Sequence, residues 1–538
     1  MRSLGWILCS LVLRCSFCWA DDQQHHHELT KEEVGSVHFS ISCKAEVQPD
    51  FNRAVALLHS FQYEGARQAF EAIRAKDAAC AMAHWGVAMS HYHGLWDNSD
   101  LTAGREALRK AQKVAAENSA CTRREKAYIE ALGEIYREDG KDLYAHAIAL
   151  ERALGTLQAA HPEDTEAAIF HALTLDITAP KTDSTYSNQR KCGEILEPIF
   201  EKLLNHPGAV HYLIHCYDNP ALAQQGLKAA RVYAKIAPAS AHAHHMPSHI
   251  FTRVGLWEES VQSNRRSEGI AAAAETTSKN GEARDQRLHA MDYMEYAFLQ
   301  SGRVSDAKDV ISSMNALPSA TGLTMIGDYA LAAIPARNTM ELAKWEEATA
   351  LVPRRDAVPW AQAITWTAIG IGAARSGHLQ QAAEAVHRLE ELRDATAKVN
   401  TYWSKQVEVQ VQEVKAWFAQ QSGEGAKALT LMTAGADLEE SVDKHAVTPG
   451  QIVPAREMLG QMLLEQKQPA DALSAFEAVL KVAPKRFNAL YGAGKAAEAA
   501  GNAAVAQRYY QELLDVGVSN ERPEIEAARK KVQVAAKK

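Results

Sequence analysis

Seven of the chain's 22 histidines fall between positions 206 and 249. The segment reads HPGAVHYLIHCYDNP, then an alanine-rich stretch, then SAHAHHMPSHIF, and it carries His206, His211, His215, His242, His244, His245 and His249. His211 and His215 stand four residues apart, which on one helix puts both rings on the same face, one turn apart. That separation lets two imidazoles share an ion. Asp218, seven residues after His211, continues the stripe, either as a third ligand or as an acceptor that orients an imidazole. His245 and His249 repeat the four-residue spacing. Pro247 lies between them, and a proline inside a helix removes a backbone hydrogen bond and kinks the chain. The kink is expected to turn both rings toward an inner wall.

The stretch from about Ala221 to Ile236 reads as a helix that carries the chain up and back. The two histidine pairs then fall on adjacent helices, and four imidazoles are expected to converge on one point. Neutral nitrogen donors suit zinc or copper, and the lack of clustered carboxylates argues against calcium or magnesium. A zinc-protease helix is disfavoured, because Tyr212 follows His211 where that motif has glutamate. The same histidines could instead cap helices, stack on aromatic rings or bond the carbonyls freed by Pro247, with no ion at all.

Other residues extend or compete with this cluster. AHWGVAMSHYHGLWDN places His84 and His91 seven apart, with Trp85, His93 and Trp96 close by; core packing accounts for the tryptophans. LHAMDYMEYAF brings His289, Asp292 and Tyr293 into the following repeat, and on a continuous wall His289 faces the same cavity. His25, His26 and His27 read as a short solvated arm or a weak metal-scavenging tail. Arg337, and Arg456 with Glu457, stand at helix starts after prolines, as contacts to an anionic ligand or as ordinary capped or salt-bridged residues.

These side chains need elements to hold them, and the elements repeat. Segments with apolar residues three and four apart recur from about Asp50 to Leu514, and strand-type alternation is hardly seen. Within them a signature returns: Gly, then Ala five residues on, then a large apolar residue four further. It stands at Gly302/Ala307/Ile311, Gly377/Ala382/Val386 and Gly501/Ala506/Tyr510, while Ala66/Phe70, Ala348/Val352 and Ala472/Phe476 keep its second half. Ala348 to Ala382 and Ala472 to Ala506 are each 34 residues, the tetratricopeptide period. Glycine ends one helix and turns into its partner, alanine permits close crossing, and the large residue plugs the groove. The expected fold is all-α: tetratricopeptide-like helical-hairpin repeats in a curved superhelix, an α-solenoid. Such arrays bind an extended peptide or a partner's helix on the concave face.

Composition bounds the rest. The 538 residues, 47% hydrophobic and 23% charged, exclude wholesale disorder and a multi-spanning membrane protein. A formal charge of −8 with no basic stripe argues against a nucleic-acid partner. The first twenty residues combine a short positive start, an apolar run from Leu4 to Leu13 and a Cys18-Trp19-Ala20 cleavage pattern, interrupted by Arg14. This reads as a secretory signal, too short to span a bilayer, so an exported protein, periplasmic or secreted, is expected. Five cysteines then remain, Cys43, Cys80, Cys121, Cys192 and Cys216. Their odd number leaves at least one thiol without an internal partner; Cys80 with Cys121 is the expected pair, with two buried thiols as the alternative.

The expected organisation is a signal over 1–20, a polar arm over 21–49, N-terminal repeats over 50–200, histidine-rich irregular repeats over 201–300, C-terminal repeats over 301–515 and a charged tail over 516–538. Through LLHSFQYEGARQAFEAI, CAMAHWGVAMSHYHGLW, HPGAVHYLIHCYDNP, HHMPSHIFTRVGLWEES and APKRFNALYGAGKAAEAAG, the chain resembles a family of exported bacterial tetratricopeptide-repeat proteins. The likeness runs from about Ser40 to Leu514. The most distinctive element is HMPSHIF, here His245, Met246, Pro247, Ser248, His249, Ile250 and Phe251. That family is largely without an assigned activity, so the resemblance implies fold and export rather than a reaction.

The expected function is therefore an exported scaffold that binds a protein or peptide on its concave face, with a zinc or copper site at His211, His215, His245 and His249, extended by Asp218 or His289. The alternative is a metalloenzyme built on the same cluster. Metal storage or delivery by the tail and the middle is a third reading.

Overall fold

A computed structural model describes residues 30–96, 99–275, 281–318 and 322–535. The expected signal segment and His25 to His27 lie outside these residues. The described chain is helical throughout, with no strand among the described residues, and successive helices pack against one another as antiparallel hairpins. No described helix is long and apolar enough to cross a membrane.

The repeat signature does the work its chemistry suggests. Gly302, Gly377 and Gly501 take φ values of 75°, 83° and 78°, the left-handed turn that ends a helix and that other residues adopt at a cost. Ala307, Ala348, Ala382 and Ala472 are fully buried where hairpins cross. The helices around the histidines are short and sharply started. His206 caps the Pro207–Tyr217 helix, its Nδ1 accepting from the Ala209 N–H at 3.3 Å, and Pro207 takes the first helical turn, where no N–H is needed. Ser240 caps Ala241–His245 through the Ala243 N–H, and Pro247 opens a fresh helix, Pro247–Val254, that ends at Gly255.

The polar arm and the charged tail both contribute packed residues. Within the polar arm, Val34, Phe39 and Val47 are buried, and the Phe39 ring lies 5.5 Å from that of Phe51. In the charged tail, the Pro523–Ala535 helix buries Ile525 and Ala528. The cysteine expectation is corrected: Cys80 pairs with Cys43, Cys192 pairs with Cys216, and Cys121 is a buried free thiol. The chain before the Gln48–His59 helix packs back over the start of the Ala81–Met89 helix, so Cys43 reaches Cys80 first.

Contacts distant in sequence close the array on its own middle. The Phe487–Ala499 helix packs on Glu282–Gln300, and the Gln48–His59 helix packs on Pro207–Tyr217. At the first of these closures the buried Arg486 guanidinium binds Glu457 at 2.6 Å and also Glu341. Near it, Arg337 lies fully buried between Asp292 at 2.6 Å and Glu295 at 3.0 Å, while Arg456 pairs with Asp437 and Glu440. Arg456 and Glu457 do open a helix, Ala455–Glu465, but Arg337 does not: it lies well inside Met325–Glu341, a helix that continues through Pro335, and all three residues make ion pairs.

A candidate metal centre of two imidazole triads

The Pro207–Tyr217 helix presents His211 and His215 on one face, as their spacing dictates. Their Nε2 atoms lie 3.1 Å apart, and the Nε2 of His242, from the helix that Ser240 caps, lies 3.0 Å from that of His211. These three form one group. A second group joins His245 and His249, with Nε2 atoms 3.0 Å apart, to His289 from the Glu282–Gln300 helix. Two nitrogens on one tetrahedral ion, at metal–nitrogen distances of about 2.0–2.1 Å, stand about 3.3 Å apart, close to these separations.

The single four-imidazole point expected from sequence is therefore two neighbouring three-imidazole points. His242 and His245, three residues apart on the five-residue Ala241–His245 helix, go to different groups: His242 joins His211 and His215, and His245 joins His249 across the helix start at Pro247. The groups remain adjacent, with ring centroids 6.0 Å apart between His215 and His249 and 6.1 Å between His242 and His245. Asp218 sits outside both triads as an orienting acceptor, and His289 completes the second.

The far nitrogens are fixed by the chain. His211 donates through Nδ1–H to the His59 carbonyl at 2.6 Å. His245 Nδ1 meets the Asn264 side-chain oxygen at 2.6 Å; the Asn264 amide nitrogen is committed to the Ser260 carbonyl at 2.8 Å, so that oxygen can only accept. His249 Nδ1 meets Asp218 at 2.8 Å. A carboxylate also only accepts. The Nδ1 atoms of His245 and His249 thus carry hydrogen, and neutral rings then direct two Nε2 lone pairs at each other across 3.0 Å. His289 Nε2, in the same group, is buried without a hydrogen-bond partner. Facing lone pairs repel unless a cation stands between them.

Burial keeps the rings in that neutral form. All six are at most 6% exposed. Burial is the first cause that lowers each imidazole pKa, taking His211 to about 3, and for His215, His242, His245 and His289 a neighbouring imidazole is the next. Asp218 holds its charge in the same surroundings. Burial works against it, but Lys444 at 2.9 Å and Arg253 at 2.8 Å outweigh burial and hold its carboxyl well below the usual range.

Support comes from several repeats. Gly208 lets the His211 helix approach His59, since a Cβ there would lie 2.6 Å from the His59 ring nitrogen. His59 is held in turn by Glu166 at 2.8 Å and the Tyr212 hydroxyl at 2.9 Å, and His206 bonds the other Glu166 oxygen at 2.9 Å. That third His-rich group is bonded through both nitrogens of each ring, and we read it as a brace. Phe61, at φ 52°, sets its ring 4.5 Å from that of His211 and 5.4 Å from that of His242.

Sequence reasoning left His242 and Trp96 out of the centre. His242, three before His245 and seven before His249, shares their stripe and could have been found by that spacing. Trp96 could not, because it arrives from a repeat more than 100 positions earlier in the chain; its ring lies 5.7 Å from His242 and 6.1 Å from His289. A cavity of about 280 Å³ reaches the centre here, lined by Phe61, Tyr63, Trp96, His91, His242 and His289. His84 lies apart, buried in the Ala81–Met89 helix.

No family model and no curated protein matches this chain. Among solved structures, the crystal structure of yeast Tom70 is similar to it at 11% identity, covering 76% of this chain and 96% of that one, with a TM-score of 0.31. At that score the likeness adds nothing to the fold assignment, which stands on the hairpins themselves.

Proposed function

We propose that this chain is an exported metalloenzyme that holds zinc or copper in its buried imidazole centre, on a helical-repeat frame. One observation carries the reading: His245 and His249 aim two Nε2 lone pairs at each other across 3.0 Å, with both Nδ1 atoms committed elsewhere. An ion between them turns repulsion into two coordinate bonds. Three protein ligands per group are fewer than the four of a structural zinc site, and the open position is what a catalytic ion needs. The cavity that reaches His242 and His289 supplies access. Export is supported by the N-terminal apolar run and by the two disulfides, which persist in oxidising compartments.

A repeat array alone favours a peptide on the concave face. Here the chain's own C-terminal hairpins pack on its middle, so we place chemistry, rather than a partner, at that point. Metal analysis of the purified chain tests the proposal. Zinc or copper is expected to co-purify and to fall in a His245→Ala/His249→Ala variant. A wild-type chain that retains neither metal after reconstitution would overturn it.

A further inference from the structure

We infer that the centre binds two copper ions, one in each triad, and takes up dioxygen between them. The inference rests on the metal-site reading above and goes beyond it in the number of ions, their identity and their ligand. Each group of three, His211/His215/His242 and His245/His249/His289, gathers its ligand nitrogens within 4.8 Å of one another. Two ions thus have separate seats, and the seats adjoin, with rings from the two groups 6.0 and 6.1 Å apart.

Charge selects the metal. Among the described residues both candidate groups consist of imidazole alone, and the nearest carboxylate, Asp218, is spent on His249, Arg253 and Lys444. Two zinc ions would bring four positive charges into a buried site with no anionic ligand, a large desolvation cost. Two cuprous ions bring only two, and imidazole suits copper. Dioxygen can then accept one electron from each cuprous ion. The O–O π bond is reduced to the single bond of peroxide, both coppers become cupric, and no proton is needed. The total charge remains two positive, because the peroxide supplies the anion the protein lacks. The cavity lined by Trp96, His242 and His289 touches one ligand of each triad and gives a small molecule a route to both.

The test loads the full-length mature chain anaerobically with cuprous copper alone, removes excess, and measures bound metal, dioxygen uptake and the electron paramagnetic resonance signal after exposure to air. Two coppers per chain, one dioxygen per chain and a signal far below that of two isolated cupric ions are expected. His242→Gln and His289→Gln, checked for folding by circular dichroism, should each retain about one copper and lose dioxygen uptake. One copper in the wild type, or two that take up no dioxygen, would overturn the inference and leave the metal site standing. Retention of zinc but not copper would do the same, and retention of neither metal would overturn both readings.

Discussion

The Nδ1–H of His211 donates to the main-chain carbonyl of His59 at 2.6 Å, joining residues 152 positions apart. The N-terminal hairpin therefore sets the tautomer of a ring in the centre of the molecule. His59 is itself held by Glu166, so the carboxylate acts on His211 at one remove. Glu166→Gln is expected to cost about 1–3 kcal/mol of stability through weakened buried hydrogen bonds, and to lower metal affinity about 10-fold, the low end for outer partners of metal ligands. Chemical denaturation and competition with a chromophoric chelator measure the two effects. Equal affinity in the variant would mean that Glu166 does not act on His211 through His59.

Asn264 makes a sharper case, because its oxygen fixes which His245 nitrogen is bare. Asn264→Ala is expected to weaken metal binding about 10–100-fold, and Asn264→Asp, which keeps an acceptor there, should restore most of it. If the two variants bind alike, the loss is one of packing and the orienting role is wrong.

Cysteine mapping separates the observed pairing from the expected one. Alkylation of the denatured, unreduced chain should label Cys121 and spare Cys43, Cys80, Cys192 and Cys216. Reduction should lower stability by about 2–4 kcal/mol per bridge. Opening Cys192–Cys216 should also weaken metal binding, since Cys216 adjoins His215 on the same helix.

Stability should fall with rising pH across the neutral range through Glu295. Burial, outweighing Arg337 beside it, pushes its pKa from 4.5 up to about 8. One oxygen faces Arg337 at 3.0 Å and the other has no hydrogen-bond partner. The folded chain then keeps a proton that the unfolded chain gives up near pH 4.5, so the unfolded state binds fewer protons and stability declines from about pH 4.5 to 8. The decline is on the order of a few kcal/mol. Glu295→Gln should flatten the melting temperature over that interval, and an unchanged slope would assign it to another group.

The helical repeat was legible because its grammar is local. Gly302, Gly377 and Gly501 announce turns and Ala307 and Ala382 announce crossings within windows of ten residues. The histidine pairs were legible for the same reason: a four-residue spacing on a helix fixes a shared face. The division into two triads was not, since it depends on Trp96, Asn264 and His59, which arrive through tertiary packing. The disulfides failed similarly. Cys43 lies in the segment read as a polar arm, and burial of Phe39 and Val47 draws it to Cys80. The closure by Arg486 onto Glu341 and Glu457 was not legible either, since it joins residues 145 and 29 positions apart through tertiary packing.

That closure reaches the centre as well. Tyr293, beside His249, donates to the Thr448 carbonyl at 2.9 Å, and Lys444 reaches Asp218 at 2.9 Å. Every imidazole of the two groups has been synthesised by position 289, while these covering contacts arrive more than 150 residues later. At about 5–20 residues per second, a growing chain carries its donors for many seconds before the wall over them exists. On the proposed metal-site reading, maturation has a natural order: an ion would meet an unfinished nest, and completion of the polypeptide would seal it in.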